Sequence, residues 1–143
     1  MLAGINFWSS AWAYLEKYGA LLDRRGSVIY RKRPRFAMFG VGDYSFTNWK
    51  VAISGFYKKL RFRAIGPCLG RPVMLDDTAY FIPCADEKEA AHLADLLNSE
   101  TAREFFAAFI CWDAKRPITI DLLRKLDLGL LEQAILLDEI VQT

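Results

Sequence analysis

The sequence predicts an α+β fold: a twisted antiparallel or mixed sheet of about five strands, with an N-terminal helix and C-terminal helices packed on it. Three observations carry this. Apolar residues recur at helical spacing before Gly26, short apolar runs broken by Gly and Pro fill Tyr30 to Pro83, and helical spacing returns after Pro83. At 143 residues, 53% of them hydrophobic, the chain is most simply one domain with a core that needs no staples. It divides into an N-terminal helix (1–25), a basic sheet region (30–84) and a helical region (86–143).

The first helix rests on Phe7, Trp8, Ala11, Trp12, Leu15, Tyr18 and Leu22, an amphipathic stripe rich in aromatic rings that Gly26 ends. Trp8, Trp12 and Tyr14 are expected to pack on the sheet or on a further domain. Strands are expected at Phe36 to Val41, Val51 to Ser54, Leu60 to Ile65, Val73 to Leu75 and Ala79 to Pro83. In Arg61-Phe62-Arg63-Ala64, period-two alternation sends both arginines to one face and Phe62 and Ala64 to the other. Arg31, Arg33 and Arg35 would do the same in an extended segment, the conformation that the residue before Pro34 prefers. Asp86 followed by Glu89 is a capping box opening a helix with Ala90, Leu93, Leu96 and Leu97 inward. A second helix is expected from about Thr101 to Cys111, a short one capped by Thr119 around Leu122 to Leu126, and a last one from Leu130 to Val141.

Charge is strongly segregated. Arg24 to Arg71 holds twelve of the nineteen Lys and Arg residues and one acid, Asp43, for a net +11, whereas the rest of the chain nets −9. Such asymmetry suits a polyanionic partner, nucleic acid first. Aromatic residues interleave the cations, from Tyr30 to Phe62, which sets this segment apart from a solvated basic tail.

Several chemistries are poorly served. Cys68, Cys84 and Cys111 form no Cys-x-x-Cys pair and His92 is the only histidine, so a zinc site lacks its usual spacing. Three buried or partly buried thiols in a reducing cytosol are expected instead. Met1 to Leu15 has no charge, but it lacks a basic leader and a small-residue cleavage site. No apolar run reaches 18 residues, so a soluble, cytoplasmic protein with no membrane partner is expected.

Gly40-Val41-Gly42 has the composition of a nucleotide or S-adenosylmethionine loop, but no helix start or downstream acid follows, so a turn is expected. Asp113-Ala114-Lys115 has the acid-x-Lys spacing of metal-dependent nucleases, yet it falls in a loop after a helix. Asp76-Asp77 is expected to cap a turn, and His92 to lie on a helix surface, half-buried at most. No catalytic set emerges.

The runs RPRFAMFGVGDYSFTNWKVAISGFYKK (33–59), GRPVMLDDTAYFIPC (70–84), LADLLNSETAREFF (93–106) and WDAKRPITIDLLRKLDL (112–128) carry a resemblance, with YLEKYGALLDRRGSVIYRKRP leading into them. They resemble the C-terminal target-recognition portion of bacterial adenine-specific (N6) DNA methyltransferases of restriction-modification systems, of the type IIG and type I specificity-subunit kind. The resemblance implies a module that binds double-stranded DNA beside a methyltransferase catalytic domain or subunit. In that family the catalytic domain holds S-adenosylmethionine and an Asn-Pro-Pro-Tyr or Asp-Pro-Pro-Tyr motif; neither tetrapeptide occurs here. The chain is therefore expected to bind without methylating, with no cofactor of its own, as an excised domain, a truncated product or a separate subunit.

On this reading Arg24, Arg25, Arg31, Lys32, Arg33, Lys58 and Lys59 meet phosphates. Lys50, Arg61, Arg63, Lys115 and Arg116 reach groove edges, where an arginine pairs bidentately with guanine. Two other classes remain open: a protein-interaction module docking on a methyltransferase through its aromatic N-terminal and acidic C-terminal helices, and a cryptic enzyme using Asp113 and Lys115 or the Gly40 loop.

Overall fold

The computed structural model describes residues 5–141, with side chains from 10 to 137, in two compact units, Met1–Gly40 and Val41–Thr143. No helix among the described residues is long and apolar enough to cross a membrane.

The first unit opens with α1 (Ile5–Lys17) and, after a break at Tyr18, α2 (Gly19–Asp23). Trp12 meets Phe36 edge to face at 5.2 Å, tying α1 to the basic loop that follows. That loop is not extended. Ser27 caps a 3₁₀ turn at Val28–Tyr30, and the Arg33 amide bonds back to the Tyr30 carbonyl at 3.1 Å. Arg25 causes the reversal: its guanidinium donates to the carbonyls of Leu22 (2.8 Å), Ala37 (2.7 Å) and Arg35, and lies over the Tyr30 ring. Arg35 turns onto Asp23 at 2.6 Å, which holds that carboxyl below its ordinary range. The expected alternation of Arg31, Arg33 and Arg35 is thus overturned, and Phe36 to Val41 folds as turns instead of a strand.

The second unit is built on three antiparallel strands in the order β2-β1-β3. They are β1 (Trp49–Ser54), β2 (Arg63–Ile65) and β3 (Ala79–Cys84). Pro83 sits on an edge strand, where its missing N–H costs no ladder bond. Five strands were expected; the two others are absent among the described residues for identifiable reasons. Phe36 to Val41 is held in turns, and the Val73 carbonyl is taken by the Lys50 side chain instead of a neighbouring strand. Expected from Leu60, β2 starts only at Arg63, because Asn98 occupies the backbone of Phe62.

Two of the helices follow caps read from sequence, Asp86 and Thr119, whereas the caps at Ser99 and Asp127 were not read, and the helix expected to reach Cys111 ends at Ala107. Asp86 accepts the Glu89 amide at 2.9 Å to open α3 (Glu87–Leu97), and Ser99 opens α4 (Glu100–Ala107). Thr119 caps α5 (Ile120–Leu123), while Asp127 accepts the amides of Gly129 and Leu130 at the start of α6 (Leu128–Val141). Across one sheet face α3 packs on Val51 and Ile53 and forms a core with Phe62, Phe106 and Ile118. Each large side chain fully buried there contributes about 2–3 kcal/mol. Leu96, Ala102 and Leu131 join α3, α4 and α6 in a second cluster.

Between β2 and β3 the chain makes a tight hairpin, Cys68 to Arg71, in which the amide of each of these residues donates to the other's carbonyl, at 2.9 and 3.0 Å. Its central residues, Leu69 (φ 49°) and Gly70 (φ 72°), are both left-handed, as a type I′ turn requires. Glycine takes that conformation freely, whereas leucine is disfavoured there by about 1 kcal/mol.

Candidate nucleic-acid interface

Strand register decides which side chains reach the sheet face that α3 leaves open. Ala52 pairs with Arg63 and Phe81, Ser54 with Ala79, and Lys50 with Ile65 and Pro83, so these residues share that face. One end of it is closed. The Lys50 side chain is fully buried, donating from Nζ to the carbonyls of Ser45 (2.9 Å) and Val73 (2.7 Å), with the Phe81 ring 5.2 Å away. Burial pushes its ammonium below its ordinary value.

Beyond that clamp lies a groove with an apolar floor of Ala52, Ile65, Leu75 and Ala79 and a rim of Tyr57, Lys59, Arg61 and Arg63. Three cations and no carboxylate line it. Asn98 sets the rim. Its amide accepts from the Phe62 N–H at 3.0 Å and donates to the Phe62 carbonyl at 2.9 Å, imitating a strand partner. Phe62 is thereby fixed in the core between two outward arginines, as the alternation predicted. Ala64 faces the α3 side opposite Val51 but remains exposed at the sheet edge. Asn98→Ala is expected to cost about 2–3 kcal/mol, because it strands a partly buried amide and carbonyl together. Urea unfolding of the variant checks this.

At the end of β1, Gly55 brings a second basic loop close. A Cβ there would stand 3.0 Å from the Tyr80 ring and 3.3 Å from the carbonyls of Ile118 and Thr78. The loop after α4 therefore lies against the sheet end, with Arg116 stacked 4.4 Å from the Phe56 ring centre. Lys58, Lys59 and Lys115 are exposed around it. Asp76 accepts both the amide and hydroxyl of Thr78, which hold its carboxyl below the usual range with help from Arg116.

Of the twelve cations singled out from sequence, two are turned inward. Lys50 was expected at a groove edge, but it is sealed under Ser45 and Val73. Arg25 was expected on a phosphate, but its three nitrogens are spent on backbone carbonyls of its own loop. Arg24, Arg31, Lys32, Arg33, Lys58, Lys59, Arg61, Arg63 and Lys115 are exposed, and Arg116 is half-buried on Phe56. The two ion pairs among the described residues, Arg35 with Asp23 and His92 with Glu132, involve none of these ten. They form two clusters, one in each unit.

The other motifs read from sequence do not line this groove. Gly40 is left-handed and leads to a four-residue 3₁₀ turn at Asp43–Phe46, the wrong framework for a dinucleotide or S-adenosylmethionine loop. An apolar cleft between β3 and α5 carries Arg124 as its one charged lining residue and no acid for a ribose. Asp113 and Lys115 lie exposed in a loop, and no cluster of three potential metal ligands occurs among the described residues. His92 is exposed and 3.2 Å from Glu132. The thiols correct one expectation: Cys68 and Cys111 are exposed and Cys84 alone is buried. Two thiols should therefore alkylate rapidly in the native state and the third only on unfolding, as counted by intact-mass spectrometry.

Sequence reading passed over Asn98 and the Leu69 hairpin. Asn98 could have been seen only as a helix C-cap. The hairpin's signal was the Pro67 and Pro72 bracket around Leu69-Gly70, weakened because leucine replaces the asparagine usual in such turns.

Fold and groove together define a small α+β unit with a cationic, carboxylate-free face and no metal constellation among the described residues. Over 125 residues, 87% of its length, the chain is 51% identical to the Type II methyltransferase M.NspV of Nostoc sp.. The chain is thus related to a methyltransferase, and it spans 26% of that protein's length. No protein-family model matches the chain, and no solved structure matches it.

Proposed function

We propose that this chain is the target-recognition portion of an adenine-specific DNA methyltransferase of a restriction-modification system, binding duplex DNA and performing no methyl transfer itself. The observation that carries this reading is the similarity to a methyltransferase, which takes in 87% of the chain yet only 26% of the relative. The lack of an Asn-Pro-Pro-Tyr or Asp-Pro-Pro-Tyr motif in these 143 residues agrees with it. S-adenosylmethionine belongs to the catalytic region of such an enzyme, and neither the Gly40 turn nor the apolar cleft suits it.

Arg24, Arg31, Lys32, Arg33 and Lys58 would neutralise phosphates, giving affinity that falls steeply with salt. Arg63 on the edge strand β2 and Arg61 just before it, beside an apolar floor, and Lys115 and Arg116, on a loop anchored at Gly55 and Phe56, would be the side chains for base edges. Lys59, on the groove rim, can serve either role. Fluorescence anisotropy of labelled duplexes tests the reading. Binding with a steep negative log–log salt dependence is expected, and affinity indifferent to salt would reject it.

A second reading has its own support: Tyr14 and Tyr18, four residues apart, pack with ring centres 4.7 Å apart and remain 64% and 38% exposed, an aromatic patch suited to a methyltransferase catalytic domain. Trp8 lies outside the residues whose side chains are described. Sedimentation with such a domain, with and without DNA, separates docking from recognition.

A further inference from the structure

Leu69 is 96% exposed at the tip of the Cys68–Arg71 hairpin, more than any other large hydrophobic residue described. In the free chain it gains nothing from this place. Its backbone is left-handed, where asparagine or glycine would sit without strain, and its side chain is bathed in water. Pro67 and Pro72 stiffen the two arms. A rigid turn that holds out an apolar side chain against both backbone preference and hydration finds its return in a contact that the free chain lacks.

The charge around the hairpin indicates the partner. From Tyr44 to Leu75 there is no carboxylate, while Lys58, Lys59, Arg61, Arg63 and Arg71 are exposed. The strand bearing Arg63 runs directly into the hairpin. A two-stranded ribbon fits the DNA major groove, about 12 Å wide, and reaches into the minor groove where a wedge kinks the duplex open. Within duplex DNA the apolar surface that accepts a leucine is the face of a base pair.

We propose that Leu69 is a wedge that enters between adjacent base pairs of bound duplex DNA, unstacking them, while Arg71 holds a flanking phosphate. The proposal rests on the DNA-recognition reading above and adds to it a distortion of the DNA.

The test uses the full chain and duplexes that it enriches from a random-sequence pool, resynthesised with 2-aminopurine at each adenine in turn. Binding of the native chain is expected to raise the fluorescence at one step. Leu69→Asn, which suits the left-handed backbone, is expected to melt no lower than the native chain and to keep the salt slope. It should lose the fluorescence rise and about tenfold in affinity. If Leu69→Asn keeps the rise, or if the native chain binds with no rise at any position, the wedge is overturned while DNA binding stands, and a protein pocket becomes the occupant. If the native chain enriches no duplex, the recognition reading itself fails, and the wedge with it.

Discussion

Alanine at Arg31, Lys32 and Arg33 together is expected to weaken binding to every duplex, specific or not, on the order of a hundredfold at low salt. All three side chains are exposed on the loop that Arg25 folds, and neither ion pair among the described residues involves them. If each neutralises one phosphate, the log–log salt slope should shrink by about 2.7, because each contact releases roughly 0.9 counterion. Sequence preference should survive, since phosphate contacts position the protein and base contacts specify the site. Lys88→Ala, on the acid-rich start of α3, serves as control and should leave the slope unchanged. Anisotropy titrations at several salt concentrations read both quantities, and an unaltered slope in the triple variant would remove this loop from the interface. Folding should hardly change, as exposed substitutions of this kind shift stability by about 0.5 kcal/mol or less.

Lys50→Met is expected to destabilise the second unit by about 3 kcal/mol while leaving the exposed cations in place. Methionine keeps the aliphatic stem but abandons the carbonyls of Ser45 and Val73, and each buried acceptor left unpaired costs about 1–3 kcal/mol. The 3₁₀ turn at Asp43–Phe46 and the segment around Val73 should loosen first, for Lys50 is what ties both to β1. The native protein should also show a pH signature. Burial lowers the Lys50 pKa from 10.5, so the unfolded chain binds that proton more tightly than the folded one. The Lys50 contribution to stability therefore grows as pH rises from the lowered value towards 10.5, and it levels off above that. Urea unfolding of both proteins between neutral and alkaline pH tests this. A native curve with the same alkaline slope as Lys50→Met would show that the ammonium is not held in a desolvated site.

Much of the local structure was legible because it depends on neighbours in sequence. Asp86 and Thr119 each cap a helix, as read, through an amide three residues on, and such bonds need no distant partner. Phe62 between Arg61 and Arg63 alternated as read, although it lies outside β2 and is held there by Asn98, 36 residues on. The missing strands were illegible for the opposite reason. Phe36 to Val41 and Val73 to Leu75 have strand-like composition, but long side chains captured the carbonyls of Ala37 and Val73: Arg25 from 12 residues away and Lys50 from 23. Propensity carries no information about such captures.

By itself, the sequence determined the α+β class, the helices capped by Asp86 and Thr119, the concentration of cations up to Arg71 and the resemblance to a methyltransferase. All are properties of composition, spacing and order. Tertiary structure alone decided which cations remain available to a partner. Arg25 and Lys50 look like their neighbours in sequence, and only the three-dimensional supply of unpaired carbonyls turned them inward. The same holds for Leu69, an unremarkable leucine until a left-handed turn sets it almost fully in water.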